Sequence, residues 1–189
     1  MKVHDYSQPQ FYHFSKDSVE FAHYAANLLK EKGDIDVLDI GCGCGVVGIE
    51  FTKQSQGVKQ ILLLEKQEEY RSFLTENIKQ LSSDTKVFCL FKNWQSIKLS
   101  QKFDCVLSNP PFYIIGNGRE PNEKLKKECH FFTQSDFDSL LKVMAFARKD
   151  DGVALFLGRK DQKHIQHKLI TKEITEVKSL GKTSIFKIA

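Results

Sequence analysis

The sequence predicts an α/β fold: a seven-stranded, mostly parallel sheet with helices on both faces and a C-terminal antiparallel hairpin. Three observations carry this. Short apolar, β-branched runs alternate with amphipathic stretches along most of the chain, the pattern of βαβ units. Successive runs lie too far apart for hairpins and suit crossover connections between parallel strands. Only the last two runs are separated by a tight Gly-Lys turn, so these must pair antiparallel.

The elements follow in order. Residues 18–32 place Val19, Ala22, Ala26 and Leu29 on one helical stripe, with Ser18 as N-cap and Gly33 as the stop. Strand IDVLDI (35–40) ends at a run of glycines, and helix VVGIEFTKQ (46–54) follows. QILLLE (60–65) is a second buried strand, 68–81 an amphipathic helix and KVFCLF (86–91) a third strand. FDCVLS (103–108) is a fourth strand, 136–149 a helix and GVALFLG (152–158) a fifth strand. Residues 160–173 read as helical, and TEVKSL and TSIFKIA flank Gly181-Lys182 as the final pair. One domain spans 1–189: an N-terminal segment and helix (1–34) expected to cap a ligand site, then a core (35–189).

With 41% apolar residues and 15 Phe in 189 residues, the composition is that of a folded globular domain. No apolar run approaches the roughly 20 residues that cross a bilayer, and the first residues lack the apolar core of a secretory signal. A cytoplasmic, membrane-free protein, expected to be a monomer, follows. Five cysteines is an odd number, and a disulfide framework is not expected in such a setting. Cys89 and Cys105 lie inside apolar runs and read as buried thiols. Cys42 and Cys44 are one residue apart, not the two or more typical of zinc ligands, so no metal is expected. His164 and His167 sit at helical spacing without a carboxylate partner and read as a solvated helix face. A net charge of +4, mostly from lysine, is compatible with a nucleic-acid partner without requiring one.

DIGCGCGVVGIE (39–50) places glycines at the first strand-to-helix turn, where the backbone can pass close beneath a ligand. Gly43-x-Gly45-x-x-Gly48 has dinucleotide spacing, and Glu65 ends the next strand about 20 residues on, where an acid holds ribose hydroxyls. This leaves NAD and other adenosine cofactors open. Gly181-Lys182-Thr183 only imitates a phosphate loop, because Glu176 replaces its first glycine and a strand follows.

Asn109-Pro110-Pro111-Phe112 leaves the fourth strand at the carboxyl edge of the sheet, where ligands of such folds bind. The prolines fix φ and remove two donors, leaving Asn109 and the Pro110 carbonyl as rigid acceptors beside an aromatic face. This resembles the N/D-P-P-Y/F motif of class I S-adenosylmethionine (SAM) methyltransferases that modify planar exocyclic amines or amides. Asp39-x-Gly41-x-Gly43-x-Gly45 resembles their cofactor loop. The resemblance spans 35–188 and implies a Rossmann-like class I methyltransferase with SAM as cofactor. An amine conjugated to a ring is a poor nucleophile; acceptors gripping both its hydrogens favour the pyramidal form that attacks a methyl group. No general base is required.

FSKDSVEFAHY, SNPPFYIIGNGR and KKECHFFTQSDFDSLL further resemble the bacterial tRNA(Val) adenine-N6 methyltransferases, which implies RNA methylation and tRNA processing. The resemblance places Ser15, Asp17 and Ser18 at the carboxylate end of SAM and Asn93 at its adenine, where an Asp is commoner. Cofactor contacts are then expected from Asp17, Ser18, Asp39, Gly41, Cys42, Gly43, Gly45, Glu65, Lys66, Asn93, Trp94 and Asn109, with Asn109, Pro110, Pro111 and Phe112 at the chemistry. Phe112 stands where Tyr is commoner, and relatives often continue past the last strand. The long connection 113–131 carries Arg119, Lys124, Lys126 and Lys127, expected to hold structured RNA, above all tRNA. Alternatives are ribosomal guanine-N2 enzymes, often with a duplicated domain, and protein glutamine-N5 methyltransferases, whose helical substrate domain the 34 residues before the first strand cannot supply. A non-catalytic SAM-binding partner subunit and an NAD-dependent oxidoreductase are the readings outside that class.

Overall fold

A computed structural model describes residues 6–116 and 120–189. Its main sheet runs through β1 (Ile35–Ile40), β2 (Val58–Glu65), β3 (Lys86–Phe91), β4 (Phe103–Ser108), β7 (Arg148–Gly158), β8 (Ile174–Ser179) and β9 (Ser184–Ile188), in the order β3-β2-β1-β4-β7-β9-β8. Pairs among β3, β2, β1, β4 and β7 are parallel, and β9 is antiparallel to both β7 and β8. The seven-stranded, mostly parallel sheet with its closing hairpin is as the sequence predicts.

Alternate side chains of the central strands feed two cores, as a sheet covered on both faces requires. Val37, Cys105, Leu107, Leu155 and Leu157 pack with α1 (Lys16–Leu28) and α2 (Val46–Gln54). Leu38, Ile40, Val106, Ala154 and Phe156 pack with α5 (Gln134–Ala147) and α6 (Lys163–Ile170). A short helix α3 (Arg71–Asn77), flanked by 3-10 turns, adds Leu74 to the first core. Gly48 lets α2 lie almost on the sheet: a Cβ there would come within 2.7 Å of Ile61 and 2.8 Å of Leu63. Topology then reverses between β1 and β4, whose carboxyl ends open a crevice.

Several expectations are corrected. α1 begins at Lys16 with Ser15 in the extended cap position. Ser18 lies inside the first turn, buried, with its hydroxyl engaged by Asn109. Cys105 is buried, but Cys89 is exposed because β3 is an edge strand. His167 is exposed, whereas His164 is buried edge-on against Phe132 and Phe137, and burial lowers its pKa to about 4. The connection after β4 is structured: β5 (Tyr113–Ile114) and β6 (Phe131–Phe132) form a small parallel sheet, with α4 (Lys124–His130) before β6. Gly181, at φ 90°, turns the β8–β9 hairpin, as the sequence predicts.

The N-terminal segment is strapped across α2 and α3. Tyr6 donates to Glu50, which also contacts His23 and Lys53. Asn77 exchanges hydrogen bonds with Ser7 and holds the carbonyl of Cys44 at 2.8 Å. The strap leads Tyr12 and Phe14 over the crevice.

Candidate active site

The crevice is a cavity of about 350 Å³ at the carboxyl ends of β1, β2 and β4. Its floor is the glycine turn. Gly41, Gly43 and Gly45 all take positive φ, which side-chain-bearing residues avoid. At Gly45 a Cβ would also fall 2.6 Å from Leu74. The turn is pinned to β2 by the N–H groups of Gly41 and Cys42, both donating to the Leu64 carbonyl.

Two buried carboxylates face this turn. Asp39 Oδ2 accepts from Gly48 N at 2.9 Å, while Oδ1 has no partner among the described residues. Burial pushes its pKa up to about 7; the Gly48 N–H opposes this and the nearby Glu65 charge adds to it. Glu65 accepts three backbone N–H bonds: Gly43 on Oε2 at 2.8 Å, and Lys66 and Gln67 on Oε1 at 2.7 and 2.9 Å. Burial raises its pKa, against those three bonds. With about four lone-pair sites on a carboxylate, Oε2 keeps one acceptor position. Two desolvated acids, one with an orphaned oxygen, present unsatisfied acceptor positions beside the cavity, and a cationic ligand carrying hydroxyl donors fits them.

Across the cavity, β4 delivers the Asn-Pro-Pro turn. Ser108 donates to the Ile40 carbonyl at 2.8 Å, locking the ends of β4 and β1 together. Asn109 Nδ2 donates to Ser18 Oγ at 3.1 Å. With its nitrogen so committed, the amide offers its oxygen as an acceptor.

Of the residues expected at the cofactor, Ser18, Asp39, Gly41, Cys42, Gly43, Glu65, Lys66, Asn93, Trp94 and Asn109 line the cavity, as do Pro110 and Pro111. Gly45 lies beneath, at the N-cap of α2. Asp17 faces away and accepts from Thr183 Oγ1. Asn93 is exposed and caps a 3-10 turn, its Oδ1 accepting from Gln95 N at 3.0 Å. The Lys66 ammonium lies 3.5 Å from Glu128. Burial drives the Cys42 thiol well above its ordinary range and the Cys44 thiol up to about 12, so neither is a thiolate ligand or nucleophile. Among the described residues no group of three or more His, Cys, Asp and Glu could hold a metal ion.

Phe112 does not line the cavity. It packs against the core on the α1 side of the sheet, and Tyr12, Phe14, Trp94, Phe131 and Phe132 supply the aromatic walls. Tyr12, Phe14, Tyr70, Cys129 and Phe131 were missed by sequence reasoning. The aromatic cluster FYHF at 11–14 was the available signal. Tyr70, Gln67 and Cys129 meet through contacts of 3.3 to 4.0 Å that hold α4 to the β2 end. Arg119 lies outside the described residues. Lys127 pairs with Glu120 and Lys124 approaches Glu128, while Lys126 is exposed.

Residues 12–129 match the family described as methyltransferase small domain. No curated protein sequence matches the chain. Among solved structures, a ribosomal protein L11 methylase from Lactobacillus delbrueckii subsp. bulgaricus is similar with a TM-score of 0.62 at 16% identity, over 93% of this chain and 79% of that one. A protein proposed to be an RNA methyltransferase from Pyrococcus horikoshii gives 0.61 at 17%, over 100% and 92%. An S-adenosylmethionine-dependent methyltransferase from Clostridium acetobutylicum gives 0.58 at 11%, over 93% of each.

Proposed function

From the premise that the chain belongs to the methyltransferase small domain family, we propose that it methylates the exocyclic amine of a nucleobase in RNA, with adenine N6 of tRNA as the first choice. The cofactor is S-adenosylmethionine, which supplies an electrophilic methyl group on a sulfonium. The observation that carries the amine reading is the Asn109 amide, held by Ser18 with its oxygen free, at the wall opposite Asp39 and Glu65.

In this reading Asp39 Oδ1 receives the ammonium of the cofactor's amino-acid end, and the remaining Glu65 acceptor takes a ribose hydroxyl. Asn93 and Trp94 border the adenine, with Asn93 using the acceptor capacity left beside its bond to Gln95. Asn109 Oδ1 and the Pro110 carbonyl grip the two amine hydrogens of the substrate. Such preplaced acceptors cost no reorganisation during reaction. The aromatic walls stack the target base and exclude water, a contact worth about 1–3 kcal/mol per base. The proton leaves to solvent after transfer, since the methylated nitrogen is cationic and acidic.

The choice of tRNA adenine rests on the three family-like segments around Ser18, Asn109 and Cys129. Transfer of labelled methyl from SAM to bulk tRNA, ribosomal RNA and release-factor protein, read by mass spectrometry of nucleosides and peptides, tests it. N6-methyladenosine in tRNA is expected, and Asn109→Ala should lower the rate by about 10²–10³ while leaving SAM affinity in place. Label confined to guanine N2 or to a glutamine side chain overturns the substrate assignment.

A further inference from the structure

The connection 113–131 is where the sequence suggests RNA backbone is held, yet its described cations are largely spent. Among the described residues of α4 and the segment before it, Lys127 pairs with Glu120 at 2.5 Å and Lys124 lies 4.0 Å from Glu128, which leaves Lys126 exposed without an acidic partner. The stretch that follows β7 has a different balance. Residues 159–172 carry Arg159, Lys160, Lys163, Lys168 and Lys172 with Asp161 as the one acid inside the stretch, and Lys168 pairs with Asp138 and Glu173 outside it.

The register places this stretch beside the chemistry. Ser108 pairs with Phe156 across β4 and β7, so Asn109 and Pro110 leave the sheet level with Leu157 and Gly158, and Arg159 emerges just beyond. Gly158 in turn pairs with Ser184, which brings the β8–β9 turn and Lys182 to the same edge. Strands lie about 5 Å apart, so two strands put this turn about 10 Å from the line of Asn109. Thr183, next to Lys182, holds Asp17, which draws the start of α1 and Lys16 to the same rim.

Some of these cations have local acids. Arg159 clamps Asp161 at 2.7 and 3.1 Å, Lys160 lies 2.5 Å from Glu176, and Lys16 lies 2.7 Å from Glu20. Lys163 and Lys182 are exposed and have no acidic partner among the described residues. Arg159 also donates to the Tyr113 hydroxyl at 3.2 Å, bracing the rim against the residue that follows Asn-Pro-Pro-Phe.

We infer that this rim, Arg159, Lys160, Lys163 and Lys182, is the phosphate-binding surface that seats structured RNA beside the active site. The inference rests on the nucleobase reading above and names where its substrate is gripped. Cations on two separate loops at one sheet edge suit an extended chain of phosphates flanking a base turned into the crevice. Contacts of this kind supply most sequence-independent affinity and make it salt-dependent.

The test measures binding of bulk tRNA across a salt series for wild type, for Lys160→Ala/Lys163→Ala/Lys182→Ala, and for Lys124→Ala/Lys126→Ala/Lys127→Ala. SAM affinity, measured alongside, shows that each variant is folded. The rim variant is expected to keep wild-type SAM affinity, to bind tRNA about tenfold less tightly at low salt, and to lose about two to three units of slope in log affinity against log salt. The α4 variant should lose less than one unit. A rim variant that superimposes on wild type while the α4 variant flattens overturns the inference and moves the RNA to the other wall. Competition of the rim by polyglutamate but not by tRNA also overturns it, in favour of an acidic protein partner. A wild type that binds no tRNA at any salt overturns the nucleobase reading itself, which is a distinguishable result.

Discussion

Asp39 concentrates the site's electrostatics in one side chain. Burial, with the nearby Glu65 charge adding to it, pushes its pKa up to about 7. A folded-state pKa raised above the unfolded value of about 3.9 means the native state binds the extra proton between the two. Its contribution is therefore fully stabilising below about 4 and is lost as pH rises through about 7. A cationic cofactor reverses that preference. SAM affinity should rise as pH increases through about 7, and Asp39→Asn should both weaken binding and flatten the rise, as calorimetry at several pH values would show; a parallel pH profile in the variant would remove Asp39 from the ammonium site. At this scale the sequence exposes residues whose spacing is dictated by backbone geometry: the glycines, Asp39 and Glu65 at strand ends, and Asn109 before two prolines. It does not expose the aromatic walls, because Tyr12, Phe14 and Phe131 lie in short segments with no periodicity of their own. Phe112 was misplaced for a related reason. A Pro-Pro turn fixes the backbone after Asn109, but which side the next ring takes is decided by the core it finds.

Among the elements, α2 shows how closely a helix can be held to its sheet. Replacing Gly48 by Ala would ordinarily gain about 1 kcal/mol of helix propensity. Here the added methyl meets Ile61 and Leu63 below 3 Å and crowds Asp39 Oδ2 at 3.1 Å, and overpacking of this kind costs about 1–3 kcal/mol. Gly48→Ala should come out destabilising by about 1 kcal/mol in denaturant melts, with weaker SAM binding. A stabilised variant would mean that α2 can lift off the sheet freely. Elements with strong periodicity and their own end signals, β1, α2, β3 and β4, appear with the bounds their residues predict. The two-residue strands β5 and β6 do not announce themselves, since so short a pair is stable only against α4 and the core. The N-cap of α1 lies at Ser15 and not at Ser18, whose hydroxyl is instead engaged by Asn109, ninety-one positions away.

Across the whole molecule the two edges of the sheet have opposite duties. The amino edge is closed by ion pairs: Asp104, 2% exposed, meets Lys32 at 2.7 Å and Lys149 at 2.8 Å and accepts from Asp36 N at 2.8 Å. Burial works to raise the Asp104 pKa, yet Lys149, Lys32 and the Asp36 amide together hold it below the usual range. This depressed folded value gives stability that is complete above about 4 and lost as pH falls further. Asp104→Asn should cost about 2–3 kcal/mol at neutral pH without altering SAM affinity, and a coupled loss of both would contradict the separation of edges. The carboxyl edge is left open for chemistry, and its order of assembly follows from the strand order. β1 stands between β2 and β4, and the crevice draws its walls from Tyr12 through Leu140. During synthesis, the first three strands can pair while the chain is still short, but they enclose nothing. Only when β4 and α5 have left the ribosome does the fourth wall exist, so a nascent chain cannot capture the cofactor, or be stabilised by it, until the residues through Leu140 have emerged.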